Sequence, residues 1–248
     1  MVWGFLSVAH VLSLLCGVAI IAGLFLLLRG KSDKTQITVL TVLSLSGICA
    51  IIFNLVAWNS PLEYLPFHLC SLNAMVLPFA VISRNKTLNN LLLLWSLGAL
   101  MALVVNNSVA TTEIFSPVFN FYYFPHLLEF GIPILMFALK LVQKDVKCIL
   151  STVSITASSY TVVHFINLLI NNYAEKNNIV DSASNILKAN YMYSLVPENP
   201  VLQMMYNLIP HPYWYMYGVL LIVVVYLGLV YLKDIVHLIR STPVKNSV

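Results

Sequence analysis

Charge is what this sequence has least of: Asp, Glu, Lys and Arg make up 9% of it, against 60% hydrophobic residues and a mean hydropathy of +0.87. Soluble domains carry roughly a quarter of their residues as charges, so this balance excludes a water-soluble globular protein and leaves a polytopic membrane protein. Cysteine is sparse too. Cys16, Cys49, Cys70 and Cys148 are scattered, with no CxxC or CxH spacing, which excludes a zinc knuckle or a disulfide framework. No Gly-rich phosphate loop, nucleotide motif or Asp-rich metal motif occurs, which argues against ATP-driven or prenyl-diphosphate chemistry, and nothing calls for a cofactor. The HxxxxD pattern of soluble glycerol-phosphate acyltransferases is also missing. The formal charge of +4 is dispersed in short runs rather than gathered on one stripe, so no nucleic-acid partner is expected. The opening Met1-Val2-Trp3-Gly4 lacks the basic leader and cleavage site of a signal peptide, so the first apolar run is read as a retained span.

What is present is hydrocarbon in long runs. Seven stretches reach the length, about 20 residues, needed to cross a ~30 Å core. They lie near 5–28, 36–58, 65–83, 88–106, 118–141, 148–170 and 213–232. Backbone groups in lipid must be satisfied within the segment, so all are predicted helical, in an all-α fold of one integral membrane domain spanning 1–248. Every basic residue except Lys176 and Lys188 falls on one side of these spans. By the positive-inside bias the N-terminus is predicted outside and the C-terminus in the cytoplasm, for a multi-pass protein of the plasma membrane.

Against that background the polar residues inside the spans carry the functional signal. Pro66-Phe67-His68-Leu69-Cys70-Ser71-Leu72-Asn73 sets an imidazole and a thiol two residues apart where the third run begins. Glu129 is the one acidic residue within a span, and His126 is three residues earlier on the same helix face. Given the predicted orientation, His10, His68, His126, His164 and His211 all lie in the outer half of the membrane, His126 about 12 Å into its helix, and His237 on the other side. The outer stretch 171–212 is the longest between spans and is rich in Tyr and Met, which suits a lid or a re-entrant segment beside a lipid groove. Many of the outer aromatics are explained by an ordinary interfacial belt.

The order of motifs resembles that of a known family. Phe5-Leu6-Ser7-Val8-Ala9-His10, Phe67-His68-Leu69-Cys70-Ser71-Leu72, Leu94-Trp95-Ser96-Leu97-Gly98, Asn190-Tyr191-Met192-Tyr193 and Pro212-Tyr213-Trp214-Tyr215 are similar to the YwaF-like bacterial integral membrane proteins. That family has a eukaryotic relative, transmembrane protein 164. The resemblance covers nearly the whole chain and implies an acyltransferase moving fatty acyl chains between phospholipids, with membrane lipids as partners and a catalytic cysteine at Cys70. The fifth span departs from the pattern: Glu129-Phe130-Gly131 stands where Ser-His-Gly is implied.

Acyl transfer through a thioester needs a thiolate, a base, oxyanion donors and a groove for the chain. Cys70 is the candidate nucleophile and His126 or His68 the base, with Glu129 as orienting carboxylate and Asn73 as oxyanion donor. If the segment around Pro66 is extended, His68 and Cys70 point the same way; if it is helical they diverge, and His126 is the better base. His10, Asn73, Asn190, Tyr191 and Trp214 are the expected substrate contacts. Two other readings use the same residues. Zinc held by His10, His68, His126 and His164 would make a metal-dependent lipid hydrolase, although no HxxxH spacing supports it. A transporter or lipid-binding protein would use kinks at Pro78 and Gly131-Ile132-Pro133, with Asn54 and Asn73 as ligands.

Overall fold

A computed structural model describes residues 1–58, 60–105 and 109–241, without the side chains of residues 220, 221 and 237–241. The end of the fourth run at residue 106, the His237 and Arg240 side chains, and Lys245 lie outside the described residues. Among these residues the chain is all helical, with isolated bridges only at Val2–Glu113 and Val180–Ile186. The helices are α1 (Val8–Leu28), α2 (Asp33–Ala57), α3 (Leu69–Ser83), α4 (Lys86–Val104), α5 (Pro117–Ala138), α6 (Cys148–Asn177), α7 (Pro200–Leu208) and α8 (Tyr217–Ser241). Short 3-10 turns lie at Tyr191–Tyr193 and Trp214–Met216.

The starts follow local chemistry. Ser7, Ser32, Asn85, Ser116 and Asn199 each accept a first-turn backbone N–H, and Pro117 and Pro200 take early positions where no N–H is needed. Arg84 and Asn178 end α3 and α6 in left-handed backbone, the usual way to release a chain from a helix.

Among the described residues six helices are long and apolar enough to cross a bilayer, which makes this a multi-pass membrane protein. The apolar α3 is shorter, 15 residues or about 22 Å. The third predicted span therefore begins at Leu69 rather than residue 65, because Pro66 and the extended His68 keep the preceding segment out of the helix. Irregular backbone at such a depth must be covered by protein. Here it is covered by the segment around Tyr191, whose phenol donates to the Leu62 carbonyl and whose ring meets Phe67 edge-on. Pro125 and Pro133 both lie inside α5, yet α5 runs unbroken through them, as α3 does through Pro78.

The main core joins α2, α3, α4, α5 and α8 around Leu40, Leu77, Leu92, Ile132 and Tyr231. The other face of α1 displays Val11, Leu12, Leu15, Val18, Leu26 and Leu27, as a lipid-facing helix must. Close approach is made by small residues. A Cβ on Gly47 of α2 would stand 2.6 Å from the Ala74 Cβ of α3 and 2.8 Å from Glu129 Oε1 of α5, so the missing side chain lets three helices meet.

The antiparallel course sorts the polar residues to two ends. At one, Arg84 pairs with Asp33, Lys86 with Asp145 and Lys144 with Asp234. At the other, where α1, α3 and α5 begin and α6 ends, lie His10, His68, His126 and His164.

Candidate functional site

Cys70 is the second residue of α3, and His68 is its N-cap without making a side-chain capping bond. First-turn N–H groups have no intrahelical acceptor and carry the positive end of the helix dipole. Cys70 and Ser71 both belong to that first turn. Gly98 of α4 admits Leu69, which a Cβ there would crowd at 3.2 Å, so the start of α3 sits tightly against α4. His68 and Cys70 both remain half-buried. The backbone falls between the two sequence-based alternatives: His68 is extended and Cys70 already helical.

Around the thiol, residues distant in sequence converge. Glu129 lies within electrostatic range of both Cys70 and His126, and His68 within range of His126. The His126 ring rests on Tyr122, centroids 4.4 Å apart, and its Nδ1 donates to the Tyr122 carbonyl at 2.7 Å. A carbonyl only accepts, so in the neutral ring Nδ1 carries the proton and Nε2 keeps its lone pair. The orienting place predicted for Glu129 is thus filled by a backbone oxygen of the same helix. His126 is also one turn from Phe130, on the same face of α5.

Asn73 has a structural task. Pro133 cannot donate to the carbonyl of Glu129 one turn earlier, and Asn73 Nδ2 takes over at 3.3 Å. Its predicted use as oxyanion donor therefore competes with this bond. Asn73 Oδ1 and Glu129 Oε2 are left as buried acceptors with no partner among the described residues. Such groups are uncommon in packed interiors and frequently mark functional positions.

The predicted substrate contacts divide. His10 is fully buried and occupied at both nitrogens, accepting from the Leu6 N–H at 3.0 Å and donating to the Leu103 carbonyl at 2.8 Å. With Trp3 edge-on at 5.4 Å it belongs to a separate cluster and takes no part in the Cys70 group. Asn190 organises its own loop, bonding the backbone of Leu195 and Val196 and the Glu198 carboxylate. Tyr191 is buried and covers the extended segment, with its ring 5.3 Å from His68; burial pushes its phenol up to about 12. Trp214 is 58% exposed, as suits an interfacial anchor. His164 bonds Ser194 at 3.0 Å. Among the described residues no three His, Cys, Asp or Glu side chains gather as metal ligands, so the four histidines of the zinc reading are dispersed.

The stretch expected to form a lid is held as a strap by a residue not singled out in the sequence. Asn167 of α6, fully buried, donates to the Tyr191 carbonyl at 2.8 Å and the Ser194 hydroxyl at 2.9 Å, and accepts from the Tyr191 N–H at 2.9 Å. Tyr213 N–H donates to the Ser194 carbonyl at 2.7 Å, and the Tyr215 phenol donates to the Tyr193 carbonyl. These bonds hold Met192 and Tyr193 at φ 52° and 55°, where a non-glycine residue costs on the order of 1–3 kcal/mol. Tyr213 is a strained γ-turn, φ 64° and ψ −53°, closed by Trp214 N–H to the Pro212 carbonyl at 2.7 Å. The signal available beforehand was Asn167, an uncharged amide in the middle of an apolar run, which lipid tolerates only when it is bonded.

An apolar groove of about 380 Å³ opens between α2 and α5, lined by Cys49, Ile52, Phe53, Val56, Ala57 and Phe121. None of its lining comes from the stretch 171–212, contrary to the expected flanking of the groove by the long outer loop. That stretch is anchored over α3 and α6 instead, through bonds to Leu62, His164 and Asn167.

Three of the five motifs that suggested a family thus meet in space: Phe67–Leu72, Asn190–Tyr193 and Pro212–Tyr215 form the thiol site and the strap over it. No curated protein and no solved structure matches the chain. A sequence model of the TMEM164 family matches residues 5–231, from the turn before α1 into the second half of α8, and so takes in every residue of this site: the chain belongs to the TMEM164 family.

Proposed function

We propose that this protein is a phospholipid acyltransferase or acyl-ester hydrolase of the plasma membrane that works through a thioester on Cys70. On this reading it is one integral membrane domain with seven spans, α3 being the short one, its histidine-bearing end outside and its C-terminus in the cytoplasm. The observation that carries the proposal is Glu129 lying within electrostatic range of both a half-buried thiol at the start of α3 and the His126 imidazole, whose Nε2 lone pair is kept free by the Tyr122 carbonyl.

His126 Nε2 takes the thiol proton, the sulfur adds to the ester carbonyl carbon, and the lysolipid leaves with a proton returned from the imidazolium. A lipid hydroxyl or water then attacks the thioester by the same path in reverse. Glu129, near both groups, favours the transient imidazolium. The donor chain can lie in the apolar groove between α2 and α5, whose volume suits a flexible hydrocarbon. His68, the N-cap of the helix that carries Cys70, stands against the Tyr191 and Tyr193 rings.

The test is acylation of the reconstituted chain by phosphatidylcholine vesicles with deuterated acyl chains, followed by peptide mass mapping. A hydroxylamine-sensitive acyl group on Cys70, absent in Cys70→Ala and formed ~10²–10⁴-fold more slowly in His126→Ala, is the expected result. Acylation spread equally over Cys16, Cys49 and Cys148, or transfer that persists in Cys70→Ala, would refute the proposal.

A further inference from the structure

The tetrahedral adduct of an ester with a thiolate carries a full negative charge on the former carbonyl oxygen, and deep in an apolar protein that charge needs a donor already in place. Asn73, the side chain expected to supply one, is engaged with the Glu129 carbonyl. Near the sulfur there is another neutral donor. Tyr193 hangs from the strap with its ring 5.4 Å from that of His68 and its phenol within electrostatic range of Cys70. It is half-buried, and no acceptor among the described residues takes its O–H. Every other feature of the strap holds the Tyr193 backbone still: Asn167 on Tyr191 and Ser194, the Tyr215 phenol on the Tyr193 carbonyl, and the Tyr213 N–H on the Ser194 carbonyl.

Two successive left-handed residues, neither of them glycine, are an unusual way to build a turn. A glycine at 192 or 193 would relieve the backbone, but at 193 it would remove the phenol. The strain is therefore accounted for if this side chain must be delivered to this place.

We propose that Tyr193 is a catalytic residue of the thiol centre, its phenol O–H donating to the ester carbonyl oxygen as Cys70 Sγ adds to the carbon. The inference rests on the reading of Cys70 as nucleophile. As the C–S bond forms, the carbonyl π pair moves onto oxygen and is held by the phenol together with the free N–H groups at the start of α3. As the pair returns, the C–O bond to the lysolipid breaks and the leaving oxygen takes its proton from His126. The phenol keeps its own proton throughout, consistent with burial pushing Tyr193 well above the ordinary tyrosine range.

Two reactions of the same sulfur separate this role from a structural one. Acylation by an ester passes through an oxyanion, whereas alkylation by iodoacetamide is a displacement at saturated carbon and does not. In the full-length reconstituted protein, Tyr193→Phe is expected to slow acylation of Cys70 from phosphatidylcholine vesicles by ~10²–10³-fold while leaving its alkylation rate within about twofold of wild type. Acylation within about threefold of wild type would overturn the proposal. So would an equal loss of both reactions, since the phenol would then merely maintain the site. If the wild-type chain is alkylated at Cys70 but never acylated there, the thioester reading itself falls and this inference with it, an outcome distinct from failure of the Tyr193 variant alone.

Discussion

The two ends of the bundle solve the same problem, irregular backbone between apolar helices, in opposite ways. At the ion-pair end, side chains are joined to the nearest available partner: Gln36 to the Leu28 and Lys31 carbonyls, Asn89 to Ala80 and Asn85, and three Lys or Arg residues to three aspartates. Its left-handed residues, Arg84 and Lys140, do no more than end helices. At the histidine end, local backbone comfort is given up. Met192, Tyr193 and Tyr213 are strained, held by bonds from α6 and from each other, and the Tyr191 and Tyr193 rings beside them face His68. Strain that is retained against a cost marks a place where position matters more than stability, and here it lies beside the segment that carries Cys70.

That contrast is sharpest at Asn167. Asn167→Ala removes three hydrogen bonds and strands the buried backbone of Tyr191, a loss of about 2–5 kcal/mol. It should appear as a marked drop in thermal stability in detergent, with slower labelling of Cys70 by an acyl donor even well below the melting temperature. Unchanged labelling would mean that the strap does not serve the thiol.

Midway between the ends, Gly47→Ala forces a methyl against Ala74 and Glu129 and is expected to destabilise by about 1–3 kcal/mol. Chemical denaturation of the purified protein reads this directly. A neutral result would show that α2 can slide away from α3 and α5 at no cost.

The smallest effect belongs to the ion-pair end. Arg84→Ala breaks a solvent-exposed pair with Asp33 and should cost no more than about 1 kcal/mol, with acyl transfer unchanged. A large loss of activity there would erase the division between the two ends.

Reading the sequence went furthest where the physics is one-dimensional. The span lengths, the sorting of basic residues and the isolation of Glu129 follow from transfer energies that act residue by residue. His10 shows the limit: it shares motif, chain direction and depth with the site, yet a Trp3 side chain and two backbone groups claim it for a separate cluster. Asn73 was legible as a buried polar residue but not as the partner of a carbonyl left over by Pro133, because that pairing joins α3 to α5. The strap was present as a motif, while its backbone angles depend on Asn167, Tyr213 and Tyr215 together.

Composition and hydropathy alone thus determined an all-helical membrane protein and the stretch where polar chemistry meets hydrocarbon, since each residue's preference for lipid or water is largely its own property. Only the tertiary structure decided which imidazole keeps a free nitrogen, which amide is engaged elsewhere and which tyrosines are brought against His68, because hydrogen bonds are directional and their partners come from distant helices.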